Sequence, residues 1–92
     1  MKLLQKIEAY KTMATEMKVQ FPELDCINFR ITDVSISEVE KVATQYELTI
    51  EESLNRCLRL HVQDYSTYSI FIYSVPCEIK KTLEYRNLQP AA

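Results

Sequence analysis

Apolar and polar positions along this chain change their spacing several times. Leu3, Ile7, Tyr10, Ala14, Met17 and Phe21 recur at steps of four and three, which makes one stripe of an amphipathic helix. The spacing predicts a helix over residues 2–20. Lys2, Lys6, Lys11 and Lys18 fall off the stripe, and Pro22 ends the helix because the residue before proline is driven out of helical geometry. The stripe is too short for a coiled coil, so packing against the rest of the domain accounts for it. The next run, "DCINFRIT" at residues 25–32, alternates. It predicts a strand with Ile27, Phe29 and Ile31 on one face and Cys26, Asn28, Arg30 and Thr32 on the other.

Helical spacing returns after Thr32. Ser35 with Glu38 fits a capping box, and Ile36, Val39, Val42, Ala43 and Tyr46 line one face behind it. "ELT" interrupts this helix. Thr49 with Glu52 offers a second box, followed by a stripe of Ile50, Leu54, Cys57, Leu58, His61 and Val62. His61 on that stripe reads as a partly buried core residue. "STYSIFIYSV" is rich in β-branched and aromatic residues and predicts a second strand. Pro76 suits the first turn of a last helix running to about Asn87. The expected fold is therefore α+β in the order α-β-α-α-β-α, an antiparallel two-stranded ribbon with helices packed on one side. Residues 1–92 read as a single domain, with an N-terminal helix (1–21), a central part (26–62) and a closing strand and helix (67–87). No internal repeat, linker or low-complexity tract divides it.

Composition narrows the function. The chain has 92 residues, 47% hydrophobic and 26% charged, as in an ordinary globular domain with a small core. It contains no glycine, where usual composition gives about six in this length. Phosphate-cradling loops of the P-loop and Rossmann kinds need backbone without a Cβ, and so does a glycine-flanked nucleophile elbow. One histidine and scattered serines make no triad. The chain is thus expected to be a binding protein and not an enzyme, with no cofactor and no small-molecule substrate. Cys26, Cys57 and Cys77 are odd in number and widely spaced. They make no metal motif and read as buried thiols in a reducing compartment. No apolar run approaches the roughly 20 residues of a membrane span, and "MKLLQKIEAYK" lacks a signal-peptide core. A cytoplasmic protein without membrane contact is expected. The formal charge of −2 argues against a non-specific nucleic-acid coat.

Residues 26–62, about two-fifths of the chain, resemble the ribbon-helix-helix family of Arc and MetJ type. A polar-outward strand carries Asn28 and Arg30, and "RITD" follows where the family often has Arg, an apolar residue, Pro and Asp. Val39, Val42 and Ala43 hold the apolar positions of the first helix. Leu48 and Thr49 stand at the start of the second, and Glu52, Leu54, Cys57 and Leu58 match its Glu, Ile, Ala and Leu pattern. The resemblance implies a homodimer whose paired strands enter the major groove of double-stranded DNA. Cys26, Asn28 and Arg30 would then meet base edges, arginine forking onto guanine and asparagine onto adenine. The N-terminus of the second helix, near Thr49 and Ile50, would contact a phosphate. A small repressor or antitoxin-type regulator is the function implied.

From Asp33 to Ser53 there are six carboxylates and a single cation, Lys41. DNA affinity rests heavily on phosphate neutralisation, so a second reading stands beside the first. It is a small protein-binding inhibitor or adaptor, such as a phage-encoded inhibitor of a host nucleic-acid complex, the anti-CRISPR proteins being one such class. In that reading the protein partner meets exposed tyrosines among Tyr10, Tyr65, Tyr68, Tyr73 and Tyr85.

Overall fold

The structure is a computed structural model and describes residues 2–53, 56–64 and 67–77. Its first element, α1 (Leu3–Gln20), follows the expected stripe: Leu3, Ile7 and Ala14 are buried, and Tyr10 and Met17 are half-buried. Phe21 lies beyond the helix and is 48% exposed. The strand β1 (Ile27–Val34) begins two residues later than the alternation alone suggests and keeps its faces, with Ile31 buried and Asn28, Arg30 and Thr32 exposed. Helix α2 (Ile36–Gln45) starts at Ser35, whose hydroxyl accepts from the Glu38 amide at 3.3 Å. The reciprocal half of the box is absent. The Glu38 carboxylate instead accepts from the Leu3 amide at 3.1 Å and so supplies the first turn of α1 with an acceptor.

With no glycine available, α2 ends on Glu47 in the left-handed region, at φ 54°. The Leu48 amide bonds to the Ala43 carbonyl at 2.8 Å and the Glu47 amide to Thr44 at 3.3 Å. Those two bonds make a Schellman motif, which satisfies carbonyls that the helix leaves open. The break expected at "ELT" thus has a backbone mechanism.

Beyond that break the expectation fails. The described residues between 49 and 62 hold no second helix. A two-residue strand β2 (Glu51–Glu52) is followed by β3 (Cys57–Asp64), which alternates with Leu58, Leu60 and Val62 buried. Leu60 decides between the two periods. A helix would have turned it off the apolar stripe, whereas the strand buries it with its neighbours. The last described strand, β4 (Tyr68–Pro76), was expected, but Pro76 closes it and starts no helix there. The helix expected up to about Asn87 otherwise lies outside the described residues.

Among the described residues the sheet has four strands in the order β1-β4-β3-β2. β4 runs parallel to β1, with Phe29 opposite Ile70 and Ile31 opposite Ile72, and antiparallel to β3, with Leu60 opposite Ile72. The fold is α+β, but the antiparallel two-stranded ribbon is not formed: β1 finds its partner in the same chain and pairs parallel to it. Both helices lie on one face. Ile7 from α1, Val39 and Val42 from α2, and Leu58, Leu60, Ile70 and Ile72 from the sheet make one buried cluster. No helix among the described residues is long and apolar enough to cross a membrane.

Where the helices meet, the Tyr46 hydroxyl donates to Glu8 at 2.6 Å and accepts from Lys11 at 3.0 Å. The bond from Tyr46, and then that from Lys11, hold the Glu8 carboxyl below the usual glutamate value. For Lys11, burial opposes the charge, but Tyr46 and Glu8 outweigh it and leave its value raised.

Two substitutions test this local account. Ser35→Ala is expected to lower unfolding stability by about 1 kcal/mol, the usual effect of a lost N-cap, while Thr49→Ala leaves it near the wild-type value. Chemical denaturation checks both, and equal losses would contradict the cap assignment. The depressed Glu8 value means that its contribution is full above the unfolded carboxylate value of about 4.3 and fades as pH falls through the lower folded value. Glu8→Gln is therefore expected to melt below the wild type at neutral pH, with the gap closing in acid. A gap that persists in acid would exclude the carboxylate as its source.

Candidate functional site

The helices cover one face of the sheet, and the alternate residues of the same strands build the other. Strand pairing lays these residues out in rows. Glu51, Arg59 and Tyr73 form the first, and His61, Phe71 and Arg30 the second. Gln63, Ser69 and Asn28 form the third. None of these residues belongs to the buried cluster under the helices.

The face is ordered by its own side chains. The His61 and Phe71 rings, directly opposite on β3 and β4, stack with centroids 4.2 Å apart and planes 6° from parallel. His61 Nε2 also hydrogen-bonds the Ser69 hydroxyl. The Arg30 guanidinium lies over the Tyr73 ring, 4.8 Å from its centroid, a cation–π contact. Arg59 donates from Nε to Glu51 at 3.0 Å and again from its terminal nitrogen. The Glu51 bond raises the Arg59 value further, so this cation stays charged and paired. Arg30 makes no ion pair among the described residues.

Beside Tyr73 the face dips into an open cleft between Arg30 and Asp33 on one side and Glu52, Ser53 and Cys57 on the other. Among the described residues no three His, Cys, Asp or Glu side chains are grouped to hold a metal. Cys77 is buried as expected, whereas Cys26 and Cys57 are only half-buried.

Of the residues singled out from sequence, Asn28 and Arg30 point to solvent on this face. Cys26 is half-buried immediately ahead of β1. Thr49 is exposed and Ile50 packs against the core, and both lead into β2. With no helix starting there, the amides and dipole expected to meet a phosphate at Thr49 and Ile50 are not provided. Tyr73, one of the tyrosines expected to meet a protein partner, lies on this face. Phe71, Arg59 and His61 were not singled out as binding residues, and His61 sits on the open face instead of the core. The alternation in "LRLHV" and "SIFIY" is the sequence signal that carries them. Comparison with protein-family models, with curated proteins and with solved structures finds no match to this chain.

Neighbouring residues of β4 measure the difference between the faces. Ile72 is fully buried and Phe71 is not. Ile72→Ala is expected to destabilise by about 2–5 kcal/mol. Phe71→Ala is expected to lose about 1 kcal/mol, the value of its ring pair. Equal losses in denaturant titrations would mean that both faces are covered.

Proposed function

We propose that this chain is a non-enzymatic protein-binding module, an inhibitor or adaptor, that presents the open face of its sheet to a protein partner. The observation that carries this reading is the pre-ordered cluster of His61, Phe71, Tyr73, Arg30 and Arg59 on a face no described helix packs against. Aromatic residues and arginine are the side chains that dominate protein interfaces. Rings already held by their neighbours lose little conformational freedom on binding. Arg30, with no carboxylate partner among the described residues, suits a partner that offers one.

A nucleic-acid reading has a specific observation behind it as well, since Asn28 and Arg30 are exposed side by side on the rim. It receives less support from the rest of the face. A base needs a free ring to stack on, and here Phe71 and His61 cover each other while Arg30 covers Tyr73. Arg59 is neutralised by Glu51, which weakens phosphate attraction.

The experiment places a photo-crosslinking side chain at Phe71 and, as a control, at Glu16 on the outer side of α1, in cells that express the protein. A discrete crosslinked protein from position 71 only, lost on Arg30→Glu with the melting curve unchanged, is the expected result. Duplex or single-stranded oligonucleotides that bind with steep salt dependence, and lose binding on Arg30→Ala, would overturn the proposal in favour of a nucleic-acid partner.

A further inference from the structure

Among the described residues the strand order leaves two sheet edges. One is β2, only two residues long; the other is β1, with eight. The Ile27 amide bonds to the Thr67 carbonyl, toward β4. Backbone groups alternate sides along a strand, so those of Phe29 and Ile31 also face β4. Those of Asn28, Arg30 and Thr32 point away from the sheet. Proteins usually blunt such an edge with proline, lysine or a cover. β1 has neither residue, and its bulge comes late, between Ile31 and Val34.

We propose that the free edge of β1 pairs antiparallel with the β1 edge of a second copy of this chain, joining two four-stranded sheets into one of eight. The sequence of β1 selects the register. Centred on Phe29, the two-fold sets Asn28 against Arg30 of the second copy, Ile27 against Ile31 and Phe29 against itself. From Ile27 to Ile31 apolar residues then meet apolar residues and Arg30 meets no cation, while Asp25 and Asp33 come opposite each other beyond these pairs. Asn28 and Arg30 also exchange both backbone bonds in this register, because their amides and carbonyls are the outward ones. Centring on Arg30 would oppose two guanidinium groups and set Ile27 against Asp33; centring on Asn28 would pair only Ile27, Asn28 and Phe29 within the strand.

The helix layer supports the same pairing. α1 lies across both β1 and β4. Tyr10 stacks on Phe29 with centroids 4.5 Å apart, while Lys11 reaches Tyr46 of α2. The row of Tyr10, Met13 and Met17 therefore runs on the side away from α2, above the free edge. Met13 is 46% exposed there. Strands in a sheet lie about 4.8 Å apart. Two copies of α1, each astride β1 and β4, would then lie about 10 Å apart, at the upper end of helix-packing distances. Met13 and Met17 would fill the seam.

Sedimentation equilibrium on the full chain tests the pairing and its register together. The wild type is expected to sediment as a dimer at micromolar concentration. Asn28 is exposed, so charge changes there leave the monomer folded. Each change acts twice by symmetry. Asn28→Glu is expected to tighten the dimer, and Asn28→Arg to loosen it, each by roughly tenfold in dissociation constant. A monomer at every concentration, or a dimer indifferent to both substitutions, would overturn the proposal.

Discussion

The backbone of β4 bonds to β1 on one side and to β3 on the other, and most of what this molecule presents follows from that double pairing. A central strand must bury both rows of its amides and carbonyls. It does so here between two strands that arrive from opposite directions, one parallel and one antiparallel. Ile70 and Ile72 then fall beneath the helices, fully buried. Phe71 and Tyr73, the residues between and beyond them, are carried to the other side. There they meet His61 and Arg59 from β3 and Arg30 from β1. The candidate binding face is the reverse side of the core strand.

Local pattern made part of this legible. The stripe from Leu3 to Met17 lies on α1, the alternation from Ile27 to Ile31 lies in β1, and Ser35 caps α2. Each of these depends on neighbours within a few residues. Residues 57–62 were ambiguous because Leu58 and Val62 satisfy both the helical step of four and the strand step of two. Two strong capping residues, Thr49 and Glu52, tilted the reading toward a helix. Burial of Leu60 between Leu58 and Val62 outweighed them. Asn28 and Arg30 were identifiable as outward residues from β1 alone. The rest of the face was not, because it exists only once β3 and β4 lie beside β1. Nothing local announces that β1 and β4 pair in parallel across the intervening α2 and β3.

The missing glycines leave their own mark. Asp33, Glu47 and Arg56 all take positive φ values, of 59°, 54° and 61°. Residues with a Cβ are strained there by roughly 1–2 kcal/mol each. Asp33 sits at the bulge of β1, Glu47 ends α2, and Arg56 immediately precedes β3. Each bends the chain where an element must stop or turn into the sheet. The core between sheet and helices holds them in place.

Amide hydrogen exchange along β4 tests the central placement most directly. With β1 on one side and β3 on the other, the amides of Ile70, Phe71, Ile72 and Tyr73 are all expected to exchange slowly. Alternation of slow and fast amides through these four residues would mean that one edge of β4 is open to solvent. Such a result would contradict the sheet order and, with it, the face built from Arg30, Phe71 and Tyr73.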